Sequence, residues 1–137
     1  MTHQTTFEVR TRGRGTIDIT AKVAGAVPAA RSPCGIVHVF VQHTSCSVLI
    51  TENADQAVRS DLEVLARRWA PDGDSAYRHD AEGADDMAAH ARSLLAGVSV
   101  TVPFAEGRLL LGTWQGIYLW EHRTQPHTRR VCVTVIG

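Results

Sequence analysis

The chain has 137 residues, with 14 basic and 14 acidic side chains, a formal net charge of zero and 44% hydrophobic residues. That length suits one domain, residues 1–137, with a real core, and the balanced charge excludes the overall basic footprint of non-specific nucleic-acid or membrane-surface binders. The opening MTHQTTFEVRTRGRG lacks the apolar stretch of a secretory signal, and no apolar run approaches the roughly 18–20 residues that cross a bilayer, so a cytoplasmic protein is expected.

In chain order, TFEVRT and TIDIT alternate apolar and polar residues around RGRG and predict a hairpin, with His3 in a frayed terminus. Val23 and Val27 stand at helical spacing, and Pro28 ends that segment. In GIVHVFVQHT the residues Val37, Val39 and Val41 share one face and His38, Phe40 and Gln42 the other, which predicts a strand covered on both sides at Phe40. CSVLITE continues as strand. NADQAVRSDLEVLARRWAP then changes to helical spacing through Val58, Leu62, Leu65 and Trp69, with Asn53 as N-cap and Pro71 after the stop. A short helix of residues 85–95 follows, its core stripe formed by Met87, Ala91, Leu94 and Leu95, with Gly97 near its end. VSVTVPF, RLLLGTW, GIYLWEHR and RRVCVTVIG read as four further strands. About eight strands and three helices, with strands adjacent in sequence, favour an antiparallel α+β domain. An α/β barrel needs roughly 200 residues or more and alternating elements.

Three segments carry groups capable of chemistry. In YRHDAEGADDMAAHARSLLAG, Asp80, Glu82, Asp85 and Asp86 crowd between His79 and His90. Like charges repel, so these acids are either solvated or held by something positive. Capping by Asp85 and the helix dipole at Asp86 explain two of them. Asp86 and His90 stand four residues apart on one helical face, a pair that binds a divalent metal or orients an imidazole, and His79 can fold back to add a nitrogen. The plain alternative is an exposed ion pair of a few tenths of a kcal/mol, roughly.

QHTSCSVLITENAD gathers His43, Thr44, Ser45, Cys46 and Ser47 in a turn, followed by Glu52, Asn53 and Asp55 at a helix start, a pattern that suits phosphate and equally suits ordinary capping. Cys34, Cys46 and Cys132 form no CxxC pair and read as free thiols, Cys132 buried in its strand. In LGTWQGIYLWEHR, Ile117, Leu119 and Glu121 share a face, so Glu121 needs a cationic or hydrogen-bonding partner if that face is core. His38, His122 and His127 read as surface residues.

Taken together, HTSCSVLITENAD, YRHDAEGADDMAAHARSLLAG and GTWQGIYLWEHRT with RRVCVTVIG resemble the YjbQ-like family, described as secondary thiamine-phosphate synthases. The resemblance runs over nearly the whole chain. It implies a sandwich-like antiparallel α+β domain that associates as a homotrimer, and a transferase joining a hydroxymethylpyrimidine diphosphate to a thiazole phosphate with release of pyrophosphate. It also implies a phosphorylated small-molecule substrate, and the gathered imidazoles and carboxylates lead us to expect a divalent metal, zinc or magnesium, beside it.

On the matching motif positions we assign His43, Asp86 and Gln115 to catalysis, Thr44, Ser45, Asn53 and Glu121 to substrate binding, and His79, His90 and His122 to metal. Relatives vary in the EHR segment, and Cys46 stands where some carry alanine, which argues against an essential thiol. If the family trimerises, His43 and the 79–90 segment are expected to meet across a subunit interface. The competing readings are a non-catalytic metabolite- or metal-binding protein and an assembly module.

Overall fold

A computed structural model describes residues 1–137. Eight strands form two sheets in which every pair is antiparallel. The larger sheet runs β1 (Thr2–Arg10), β8 (Thr128–Ile136), β3 (Cys34–Val41), β5 (Ser99–Ala105), β6 (Arg108–Leu109). The smaller runs β2 (Gly15–Asp18), β7 (Gln115–Glu121), β4 (Cys46–Glu52). Three helices, α1 (Thr20–Ala24), α2 (Gln56–Trp69) and α3 (Asp86–Ala96), complete the α+β domain.

The core follows from the two-residue period of the strands. Val37, Val39 and Val41 of β3, Val131, Val133 and Val135 of β8, and Val102 and Phe104 of β5 meet Val48, Ile117 and Leu119 of the small sheet. Each fully buried side chain of this kind contributes about 1.5–3 kcal/mol. α1 and a 3₁₀ turn at Val27–Ala30 close one side through Val23, Val27 and Ala30. The other face of the small sheet, carrying Ser47, Tyr118, Trp120 and His122, lies under α2 and α3, so all three of its layers contribute buried groups.

Several local expectations are corrected. β1 and β2 form no hairpin: β1 pairs with β8 along its whole length and β2 with β7, so RGRG carries the chain from one sheet to the other. Gly13 makes that crossing at φ +104°, where an added Cβ would lie 2.5 Å from the Thr124 carbonyl oxygen. His3 is a sheet residue opposite Val135. Pro28 stands in the first turn of the 3₁₀ segment rather than ending a helix, since its fixed φ suits such a start. RLLLGTW yields only the two-residue β6 before a loop.

Phe40 is covered on one side only and is 41% exposed. α2 is capped by Asp55, whose side chain accepts from the Ala57 N–H, while Asn53 reaches the carbonyls of Thr113 and Gln115. Trp69 is exposed, as are Leu94 and Leu95. α3 turns Asp86, Ala88, Ala89, Arg92 and Ser93 inward instead of its leucines, because the sheet face beneath it is polar. There Ser93 Oγ donates to the Cys46 carbonyl, and Arg92 meets Glu63 at 2.7 Å.

Candidate functional site

Asp86 opens α3, His90 lies one turn on, and His79 arrives from the loop between α2 and α3. Both imidazoles aim their Nε2 atoms at one oxygen, Asp86 Oδ2, at 2.7 Å from His79 and 3.1 Å from His90. The three ligand-capable atoms lie within 4.8 Å of one another. The carboxylate is 3% exposed, His79 46% and His90 31%, so the acid forms the floor and the imidazoles an open rim.

Arg123 explains why the acids gather. Its Nε donates to Asp85 Oδ2, Nη1 to Asp86 Oδ1 at 2.7 Å and Nη2 to the Glu82 carbonyl. Thr124 adds its backbone N–H and hydroxyl to Asp85 Oδ2. Asp85 therefore does not cap α3 with its side chain. Burial alone would raise the Asp85 carboxyl, but the Thr124 and Arg123 bonds outweigh it and hold its pKa at about 2. For Asp86 burial is likewise outweighed by the His79 bond and by the charges of Arg123 and His90, which keep it below the usual carboxylate range. Asp80 and Glu82 are left exposed.

The tautomer of His90 is fixed by its surroundings. Nδ1 lies 3.0 Å from the Thr44 carbonyl oxygen, which can only accept, so Nδ1 carries a proton. In the neutral ring, Nε2 then presents a lone pair to a carboxylate oxygen, an arrangement that requires a proton or a cation between them. An imidazole anchored through its second nitrogen by a carbonyl, beside a carboxylate itself held by arginine, is how proteins orient metal ligands.

His43 and His90 line one cavity of about 510 Å³ together with Thr44 and Ser93, so these segments meet within one chain and need no subunit interface to do so. His43 Nε2 accepts from the Arg130 N–H at 2.7 Å, which leaves it no free lone pair for base catalysis, and Nδ1 lies 3.5 Å from Arg129 Nη1. Burial, then the charge of Arg129, lowers its pKa, so the ring is neutral. Thr44 contributes its carbonyl. Ser45 is occupied by Arg129 Nη2, which bonds both its carbonyl and its hydroxyl.

The other expected site residues lie elsewhere. Glu121 is fully buried and held by Arg129 and Thr11, a structural ion pair without access to ligand. His122 is neither a surface residue nor a partner of His79 and His90: it is sealed under the helices with Nε2 2.6 Å from Ser47 Oγ. Asn53 and Gln115 sit at the end of the β4–β7 ladder where Glu52 faces Gln115, whereas the cluster adjoins the end where Cys46 faces Glu121, roughly 20 Å away at strand rise. The α2 terminus offers no phosphate site, since Glu52 and Asp55 take the N–H groups of Ala54, Asp55 and Ala57.

Among the thiols Cys46, not Cys132, is the sealed one, and burial pushes its pKa up to about 12, which removes it as a nucleophile. Arg123 and Arg129 were not singled out by sequence. The two-residue period supplied a signal for Arg129, which continues the inward stripe of Val131, Val133 and Val135 toward Glu121.

Burial of His122, reinforced by the charges of Arg92, Arg14 and Arg129, lowers its pKa to about 3. Below pH 6.5 the unfolded chain takes up a proton that the folded chain refuses, so stability falls on acidification from about pH 6.5, by at most about 1.4 kcal/mol per pH unit. His43, also lowered, adds in the same direction. The depressed carboxylates Asp86 and Glu121 add their loss only below about pH 4. The urea midpoint is therefore expected to decline between pH 6.5 and 4.5 in the wild type, and the decline to flatten in His122→Asn. An equal slope in both proteins would place the proton uptake elsewhere.

Residues 5–137 match the model of the family described as UPF0047 protein YjbQ-like. A UPF0047 protein of Synechocystis is 44% identical over 135 residues, covering 98% of this chain and 92% of the relative. The UPF0047 protein YjbQ of Salmonella typhimurium is 42% identical, covering 100% and 99%. Among solved structures, a YjbQ/UPF0047 family protein of Clostridium acetobutylicum superposes with a TM-score of 0.88 at 35% identity, covering 96% of this chain and 99% of that one. A conserved hypothetical protein of Thermus thermophilus gives 0.86 at 36%, with the same coverage. Sequence and fold agree along the whole length, and the chain belongs to the YjbQ/UPF0047 family.

Proposed function

We propose that the chain is a metal-supported transferase acting on a phosphorylated small molecule, with thiamine-phosphate synthesis as its reaction. The observation that carries this is the pinned tautomer of His90, which turns an Nε2 lone pair, beside His79 Nε2, onto the buried Asp86 carboxylate. Two imidazole nitrogens and one carboxylate suit zinc better than magnesium, which prefers an oxygen shell. Three protein ligands leave a coordination position for substrate or water.

In the reaction, the thiazole nitrogen forms a bond to the methylene carbon of the pyrimidine as the carbon–oxygen bond to diphosphate breaks, its electrons leaving with pyrophosphate. His79, Asp86 and His90 would hold a divalent cation, which would supply positive charge to the departing pyrophosphate. His43 borders the shared cavity, and no general base is required because no proton is removed. Arg123 fixes the acid that orients both imidazoles.

Steady-state turnover of the pyrimidine diphosphate with the thiazole phosphate tests the reading, alongside elemental analysis of protein purified without a histidine tag. Wild type is expected to carry zinc and turn over, and folded His90→Ala to lose both. Binding of these substrates without turnover identifies a non-catalytic metabolite-binding protein instead.

The homotrimer belongs to the same proposal. Leu95 is 65% exposed and Trp69 58%, the two lining one apolar recess, with Leu94, 85% exposed, beside Leu95 in the chain, and exposed apolar surface of this kind marks an interaction face. The double variant Leu94→Glu, Leu95→Glu is expected to elute as a monomer in light-scattering chromatography where wild type elutes as three chains. Unchanged mass in the variant would remove this face from the assembly. No helix is long and apolar enough to cross a membrane, and three free cysteines suit the reducing cytoplasm we propose for it.

A further inference from the structure

α2 and the β2 edge of the small sheet enclose a second cleft, of about 680 Å³, that shares no residue with the His79–Asp86–His90 cluster. That volume is within the usual range of small-molecule sites. At its wall Tyr118 is 3% exposed, yet its hydroxyl makes no hydrogen bond within the protein and is not among the sealed polar atoms, so it opens into the cleft. Gly116 leaves room for that ring, since a Cβ there would fall 2.9 Å from Tyr118 Cε2.

Arg59 stacks on the Tyr118 ring at 4.7 Å and donates Nη1 to the Glu52 carbonyl, which orients its guanidinium before any ligand arrives. The charges in the cleft do not cancel. Arg14 is matched by Asp72 through two bonds, and Glu63 by Arg92 and the Trp120 indole. Arg59 and Arg67 remain against the carboxylate of Asp18, which already accepts from the Thr20 N–H. Thr16 and Ser60 add hydroxyls.

We propose that this cleft binds the phosphoryl group of a small phosphate ester or diphosphate, with Arg59 and Arg67 facing its oxygens and Tyr118 O–H donating to it. A guanidinium held over an aromatic ring, 4.7 Å from its centroid, matches the two-pronged recognition of phosphate. A buried phenol aimed into the space supplies an aligned donor whose alternative partner is water. The site is independent of the reaction proposed above, because none of its groups touches the histidine cluster.

Inorganic pyrophosphate, titrated calorimetrically into the metal-stripped full-length protein at low salt, is the probe. Wild type is expected to bind saturably with one site per chain. Arg59→Gln and Arg67→Gln, both on the outer turns of α2, are expected to weaken binding about tenfold, and Tyr118→Phe about fivefold. His90→Ala is expected to leave it unchanged, which separates this site from the cluster. Absence of saturable binding by wild type, equal affinity in folded Arg59→Gln and Arg67→Gln, or loss of binding in His90→Ala would each overturn the assignment.

Discussion

Asp86→Asn is expected to lower zinc affinity at least about a hundredfold while the protein stays folded. The substitution keeps the shape of the side chain and one acceptor for Arg123 Nη1, but removes the charge on which His79 and His90 converge. A ligand change exceeds the roughly 10- to 100-fold effect typical of groups that only orient ligands. The same comparison gives Arg123→Met the smaller, orienting loss. Its three donors hold Asp85, Asp86 and the Glu82 carbonyl, so without them the 72–85 loop loosens and His79 loses its placement more than His90 does. Competition between apo protein and a chromophoric chelator reads both affinities, and histidine ring NMR signals read the loop. Equal zinc affinity in Asp86→Asn and wild type would mean that the carboxylate serves only to bind Arg123, and the metal reading would fall with it.

The Asp86–His90 pair was legible in the sequence for a reason that separates it from its surroundings. A spacing of four residues puts two groups on one helical face whichever side of the helix turns inward, so the pair survived an inverted assignment of the stripe. Met87, Ala91, Leu94 and Leu95 looked like core because leucine is usually inside. The inward face of α3 is instead chosen by the polar partners beneath and beside it, the Cys46 carbonyl of the small sheet for Ser93 and Glu63 of α2 for Arg92.

Alternation made the strands legible, and with them the α+β class. Pairing was less so. Only β5 and β6 are neighbours both in sequence and in their sheet, and the RGRG turn resembles a hairpin while serving a crossing between sheets. Groups whose partners depend on that pairing, Arg123 across from the acidic loop and Arg129 across from Glu121, stayed hidden. Gln115 and Asn53 were joined to the histidines by motif order alone, and β4–β7 register then set them at the opposite end.

Arg129→Met is expected to destabilise the protein by about 3–5 kcal/mol, the usual cost of stranding a buried charge. Glu121 has no exposed surface, and burial would raise its pKa were it not for the bonds from Arg129 and Thr11, which hold it below the normal range. Removing Arg129 leaves that carboxylate with Thr11, two backbone N–H groups and the His127 ring 3.8 Å away, none of them a full compensating charge at neutral pH. The pair ends the sandwich core, two residues before Val131 on the valine stripe of β8 and two beyond Leu119 on the inward face of β7, so an apolar replacement of both groups has somewhere to pack. The double variant Glu121→Leu, Arg129→Met is therefore expected to recover most of the lost stability in urea denaturation, a strongly non-additive pair. Its site should not recover with it. Arg129 also bonds the Ser45 carbonyl and hydroxyl and sits beside His43, one residue from the Thr44 carbonyl that fixes the His90 tautomer. With the turn at 43–47 released, zinc affinity is expected to fall about tenfold in the stable double variant, the scale of a lost orienting contact. Restored stability together with wild-type zinc affinity would show that the buried pair holds the core and nothing more.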